Sequence, residues 1–129
     1  MDVLAGRILL CPTDPARSRH FYGEILGLAI AREFGPRDDP GVVYYAGSGF
    51  IELSGRSAQP PAPGIRLWLQ VRDVAAEHER LVAAGAAVTR PPVQEPWGLI
   101  EMWLEDPDGV PIVLVEVPID HPLRRDQRS

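Results

Sequence analysis

Laid over itself with an offset of 59 residues, the sequence matches Arg7-Ile8-Leu9-Leu10 to Arg66-Leu67-Trp68-Leu69 and Asp14 to Asp73. A nearby offset of 61 sets Ile51-Glu52-Leu53 over Ile112-Val113-Leu114. Self-similarity of this kind means that one supersecondary plan is used twice. Each matched Asp precedes a stretch with helical spacing, Pro15 to Leu26 and Val74 to Ala84. Each half therefore reads as a strand, a helix and three further strands. A chain of 129 residues holds both halves only as parts of one domain. The expected layout is a domain over residues 1–118, with modules at about 3–54 and 65–117, a linker at 55–64 and a flexible tail at 119–129.

Local chemistry agrees with that plan. Asp14 before Pro15 starts a helix well, because an N-cap acceptor precedes a proline whose missing N–H costs nothing at the first position. Phe21, Ile25 and Leu26 recur at helical spacing and Gly27 supplies the stop; Asp73, Leu81, Val82 and Gly85 do the same in the second half. Alternating runs predict strands at Val3–Cys11, Leu28–Phe34, Val42–Ala46, Gly49–Ser54, Ile65–Val71, Ala87–Arg90, Leu99–Leu104 and Pro111–Val117. Turn residues punctuate them at Pro36–Pro40, Gly47–Gly49 and Asp106–Gly109, and the proline-rich Gln59–Gly64 links the halves.

Charge and cysteine content narrow the function classes. Net charge is −5, with thirteen arginines and no lysines, which argues against a nucleic-acid surface and favours neutral or cationic small ligands. No apolar run approaches the roughly 18 residues of a membrane span, and no secretory signal is visible. A single cysteine, Cys11, builds no disulfide framework and fits a reducing cytoplasm. As a nucleophile Cys11 lacks a nearby base, so it reads as a small apolar filler.

Thr13-Asp14-Pro15-Ala16-Arg17-Ser18, followed by Phe21-Tyr22 and Leu26-Gly27-Leu28, resembles the first strand–helix junction of the vicinal oxygen chelate superfamily. Glu105-Asp106-Pro107-Asp108-Gly109, followed by Ile112 and Leu114, resembles its last hairpin. That superfamily includes glyoxalases, extradiol dioxygenases and bleomycin resistance proteins. The resemblance runs from about Arg7 to Val117. It implies an α+β fold, with two tandem βαβββ modules forming a cup-shaped, partly open mixed β-sheet and helices on its outer face. It also implies a homodimer, whose cup is built within one chain or across the two-fold axis.

Metal-dependent relatives place a His, Gln or Glu ligand on the first and last strand of each half. Here the matching positions are Arg7, Glu52, Arg66 and Val113. Only Glu52 can ligate, since arginine offers no lone pair and valine no donor atom. The three histidines do not repair the set: His20 and His78 fall on predicted helices and His121 in the tail. The expectation is a site with no metal and no cofactor.

Strand alternation sorts the remaining side chains. Ile8, Leu10, Ile51, Leu53, Leu67, Leu69, Val71, Ile100, Met102 and Leu104 are expected under the helices. The opposite face then carries Arg7, Leu9 and Cys11; Phe50, Glu52 and Ser54; Arg66, Trp68 and Gln70; Glu101 and Trp103; Val113 and Val115. Either Arg7 and Arg66 pair with Glu52 where relatives hold a metal, or these charges point to solvent and do little. Glu95-Pro96-Trp97-Gly98 resembles a Pro-Trp-Gly stretch of bleomycin resistance proteins, where Trp97 either faces a ligand or staples a loop.

Three readings follow. The first is a metal-free binding protein holding an aromatic or amphipathic molecule, such as an antibiotic, on Arg7, Phe50, Glu52, Arg66, Trp68, Gln70, Trp97, Glu101, Trp103 and Val113. The second is a lyase, isomerase or dioxygenase-like enzyme with Glu52 as general base, a role that neighbouring arginines weaken by lowering its pKa. The third is a scaffold subunit with a vestigial cup.

Overall fold

The structure, a computed structural model, describes residues 1–61 and 63–123. Ala62 of the expected linker and residues 124–129 of the expected flexible tail lie outside the described residues. The first half folds as β1 (Ile8–Leu10), α1 (Pro15–His20) continued by a π-helical turn (Phe21–Ile25), β2 (Ile30–Phe34), β3 (Gly41–Ala46) and β4 (Gly49–Leu53). The second folds as β5 (Leu67–Gln70), α2 (Val74–Ala83), β6 (Ala87–Gln94), β7 (Ile100–Glu105) and β8 (Pro111–Glu116). Each half carries its own four-stranded mixed sheet, ordered β1-β4-β3-β2 and β5-β8-β7-β6. The fold is α+β with two βαβββ modules.

The chain divides into two compact units. The first is Met1–Ile65 together with the turn Asp106–Gly109, and the second is Arg66–Glu105 with Val110–Ser129. In both, the first strand pairs in parallel with the last: Ile8 with Ile51 in one, Leu67 with Ile112 in the other. That pairing requires a crossover, and the helix supplies it.

Both helices begin as their sequence signals direct. Asp14 Oδ1 accepts the Arg17 N–H at 3.3 Å, and Asp73 Oδ1 accepts the Ala76 N–H at 3.0 Å. Glu116 Oε1 takes a further free N–H of α2, from Val74, at 3.0 Å. The first helix departs from expectation after His20, where the Leu26 N–H bonds to the Phe21 carbonyl, five residues back, at 2.8 Å. This wider turn accommodates two adjacent buried rings, Phe21 and Tyr22, packed edge to face at 5.0 Å.

The helix-bearing face of the first sheet buries Leu10, Val42, Tyr44, Ile51 and Leu53 against Tyr22. In the second, Leu67, Met102, Leu104, Ile112 and Leu114 pack with Val74 and Leu81. Ile8 was expected there and is instead 47% exposed. It opens an edge strand of three residues, much shorter than the expected Val3–Cys11 run. The partner strand β4 begins only at Gly49, after a tight turn, so residues before Arg7 have no strand to pair with. Strand β6 is longer than expected and runs through Pro91-Pro92 with irregular register between Val88 and Val93. It is an edge strand, where a residue without an N–H is tolerated. Gly41 leaves room for a neighbour: a Cβ there would stand 2.4 Å from Cζ of the Phe34 ring lying across it, so a larger residue would displace that ring.

Candidate functional site

Register decides which side chains share the faces turned away from the helices. In the first unit Leu9, Glu52, Val43 and Arg32 fall on one line across four strands. Arg7 and Ser54 lie on the same face and converge on Glu52. Arg7 donates to Glu52 Oε1 at 2.9 Å, and Ser54 donates to Oε2 at 2.7 Å. Phe50 is on this face too, its ring 5.5 Å from that of Tyr45. Tyr45 is half exposed, and Arg32 lies 5.3 Å from the Phe34 ring centroid.

The Ser54 hydrogen bond, then Arg7, and at longer range Arg32, hold the Glu52 carboxyl below the usual carboxylate range against the opposing cost of burial. A carboxylate held charged in this way makes a weak base near neutrality. It is also a poor metal ligand, because both oxygens are already engaged. Arg7, Arg66 and Val113 at the other three positions supply no donor, so the residues do not fit the metal site of metal-dependent relatives. Among the described residues no group of three or more His, Cys, Asp or Glu side chains is placed to hold a metal ion.

The Arg7–Glu52 pair is partly solvated, so its worth is modest. Glu52→Gln is expected to cost about 1 kcal/mol of stability at neutral pH. Because the folded-state pKa is depressed, that contribution is present above the unfolded value and is lost as pH falls through the folded one. Urea unfolding over a descending pH series from 7 checks it: the gap between variant and parent should narrow as the carboxylate protonates. A gap of equal size throughout the series would remove the charge from the account.

In the second unit one line across three strands reads Trp68, Val113, Trp103, since Val113 pairs with both tryptophans. The next line reads Gln70, Val115, Glu101. Val113, Val115, Val117 and Leu99 form a buried apolar floor, with Trp103 and Leu123 packed against it. Because the two tryptophans are separated by two strand spacings, their Cα atoms stand about 10 Å apart with a small valine between them. Trp68 is half exposed. Arg66 lies over Trp103, its guanidinium carbon 5.9 Å from the ring centroid, so the partner the structure gives Arg66 is an aromatic face rather than a carboxylate.

Trp97 sits in the tight turn between β6 and β7, closed by the Gly98 N–H to the Glu95 carbonyl at 2.8 Å. Gly98 has φ +96°, and a Cβ there would stand 3.0 Å from the His121 ring, so only glycine fits. The Trp97 Nε1–H donates to Glu101 Oε2 at 2.8 Å while the indole stays 58% exposed. The residue staples the turn and still presents its ring. His121 Nδ1 accepts the Leu123 N–H at 3.1 Å, which leaves Nε2 to donate to the Trp97 carbonyl at 2.9 Å. Arg90 is held by the Glu95 carboxylate and by the Glu101 carbonyl at 3.2 Å.

Nine of the ten residues singled out in the sequence thus fall on the faces away from the helices, Arg7, Phe50 and Glu52 on the first and Arg66, Trp68, Gln70, Glu101, Trp103 and Val113 on the second, while Trp97 sits in the β6–β7 turn and is tied to the second through Glu101. Sequence reasoning missed Arg32, Val43 and Tyr45 on the first face and Arg90, Leu99, Val117 and Leu123 on the second. The alternation of Val43 and Tyr45 carried the signal for the β3 pair; nothing in the sequence placed Leu123. A separate small cleft in the first unit, about 30 Å³, lies beside Arg19, whose guanidinium is already used by Asp39 at 3.2 Å and the Pro40 carbonyl at 3.3 Å.

The family model described as Glyoxalase/Bleomycin resistance protein/Dioxygenase superfamily matches residues 5–114. No curated protein matches the sequence. Solved structures share the fold. TnmS3, an antibiotic binding protein from Streptomyces sp. CB03234, is 22% identical with a TM-score of 0.74, covering 91% of this chain and 98% of its own. TioX from Micromonospora sp. ML1 is 22% identical with a TM-score of 0.75, covering 88% and 98%. A glyoxalase-related enzyme from Fulvimarina pelagi is 26% identical with a TM-score of 0.70, covering 92% and 91%.

Proposed function

The chain belongs to the Glyoxalase/Bleomycin resistance protein/Dioxygenase superfamily, and from that premise we propose that it is a metal-independent binding protein for a flat aromatic or amphipathic small molecule. The observation that carries this reading is the Trp68–Val113–Trp103 line over a valine floor. Two tryptophans whose Cα atoms stand about 10 Å apart across a small valine offer aromatic surface on which a flat ring can stack at the usual separations of about 4.5–7 Å. Valine, where metal-dependent relatives carry a ligand, turns that position into an apolar floor. The fold it shares with an antibiotic binding protein is compatible with sequestration of an antibiotic. Glu52 as general base is the weaker reading, since its proton is held off at neutral pH by Ser54 and Arg7.

Tryptophan fluorescence titrated with bleomycin-like glycopeptides and planar aromatic compounds tests this. Saturable quenching that a chelator leaves unchanged is the expected result. Binding abolished by chelation would overturn the metal-independent reading, and absence of binding across the panel would overturn the binding function. Leu123 packs on the same floor that the ligand would use. Leu123→Ser is therefore expected to tighten binding several-fold, read in the same titration; weaker binding would make Leu123 part of the site wall instead.

A further inference from the structure

We propose that the second-unit site is built for a dipolar ligand: a flat aromatic system with a protonated amine or amidine at one edge and an anionic oxygen at the opposite edge. This rests on the binding reading above and names the chemical class that the Trp68–Trp103 trough selects.

The argument is an accounting of charge. Around the trough Arg90 is neutralised by Glu95, and Trp97 satisfies one oxygen of Glu101. Arg90 Nε is buried without a partner among the described residues, but its guanidinium is already paired with Glu95; the charged groups left are the Glu101 carboxylate and the exposed guanidinium of Arg66. Glu101 is 8% exposed, and beyond the Trp97 N–H its carboxylate takes no side-chain or backbone donor from the described residues. A carboxylate has room for about four hydrogen bonds, so Glu101 can accept from a ligand as well as from Trp97. Arg66 has the Trp103 face and no carboxylate within ion-pair distance among the described residues. Glu105, level with it on β7, is exposed and makes no ion pair with it.

Register puts these two groups on opposite sides of the tryptophans. Along β8, Val113 is level with Trp68 and Trp103, and Val115 is level with Glu101. Arg66 precedes Leu67, which is level with Ile112, so Arg66 lies on the other side of the Trp line. A ring stacked on the indoles would thus present one edge toward the Glu101 carboxylate and the other toward the Arg66 guanidinium. Glu101 would accept from a cationic N–H, and Arg66 would donate to a carboxylate or phenolate. A neutral ring gains only the stacking.

Isothermal titration with four matched probes tests this: 2-naphthylmethanol, 2-naphthylmethylamine, 2-naphthoate and 6-(aminomethyl)-2-naphthoate. The parent protein is expected to bind the dipolar probe at least ten-fold more tightly than the neutral one. Glu101→Gln keeps an oxygen for the Trp97 N–H; it should erase the gain from the amine and leave the neutral probe and 2-naphthoate unchanged. Arg66→Gln should do the converse. If the neutral probe binds and the dipolar one binds no better, or if either variant weakens all four probes equally, the dipolar assignment is wrong while the aromatic site stands. If no probe binds, the neutral one included, the binding reading itself falls and takes this assignment with it.

Discussion

Replacing Asp106 with alanine is expected to lower the unfolding free energy by about 3 kcal/mol at neutral pH, a drop in Tm on the order of 10 °C. Tyr22 has no exposed surface, and its hydroxyl donates to Asp106 Oδ2 at 2.8 Å. The same carboxylate accepts the Asp108 N–H at 2.8 Å and so shapes the turn. Asp108 in turn accepts the Thr13 N–H at 3.1 Å and the Thr13 hydroxyl. Alanine at 106 leaves a buried phenol without its acceptor and loosens the turn that Thr13 grips. Tyr22→Phe removes the donor instead and should cost less, about 1 kcal/mol. Thermal unfolding of the two single variants and the double variant measures the coupling, and additive effects would show that the two groups do not act together.

The same contact sets an alkaline limit. Burial first, and the Asp106 charge second, raise the Tyr22 hydroxyl well above its ordinary value. The unfolded chain releases that proton near pH 10 while the folded chain keeps it. Stability is therefore complete below about pH 10 and falls above it by up to about 1.4 kcal/mol per pH unit. Tyr22→Phe should flatten this decline. A smaller part remains from Tyr44, whose hydroxyl burial also raises and Arg19 partly lowers.

The largest effect on binding is expected from Trp68→Ala. The indole is half exposed on the edge strand β5, so its loss costs the fold little. It forms one side of the proposed stacking site, and removing it should weaken an aromatic ligand by about 2 kcal/mol, roughly thirty-fold. Trp103→Ala should weaken binding comparably but also destabilise the protein, because Trp103 packs on the valine floor. Paired melting and titration curves separate the two cases. Unchanged affinity in Trp68→Ala would move the ligand off the Trp68–Val113–Trp103 line.

Much of the fold was legible because its signals are local or periodic. The offset repeat announced two modules, Asp14 and Asp73 marked the helix starts, and Gly27 and Gly85 follow the last helical turns. Parity along each strand placed Arg7, Glu52, Trp68, Trp103 and Val113 on the faces away from the helices, but left open whether Arg7 and Arg66 pair with Glu52 or point to solvent; only Arg7 does pair. Parity alone does not choose lateral partners. Arg66 and Arg7 occupy equivalent repeat positions, yet one lies on an indole and the other on a carboxylate, a difference set by which residues stand across from each. The wide turn after His20 and the exposure of Ile8 were hidden for a related reason. The first depends on how Phe21 and Tyr22 pack once buried and the second on where the partner strand begins, and no window along the chain contains either. Leu123 falls within the expected tail because a lone apolar residue among polar ones has no period to betray it.

The turn Asp106–Gly109 gives the duplication an unequal character. It groups with the first unit, although it is encoded near the end of the second. As the chain emerges during synthesis, β1 to β4 are all present once Leu53 has appeared, but the Tyr22 hydroxyl and the Thr13 backbone wait for residues 106 and 108. A fragment cut in the linker would carry every strand of the first sheet and still lack the acceptor for its most buried phenol. The two halves share a plan without being interchangeable or separable parts, and the first becomes complete only when the ribosome has nearly finished the second.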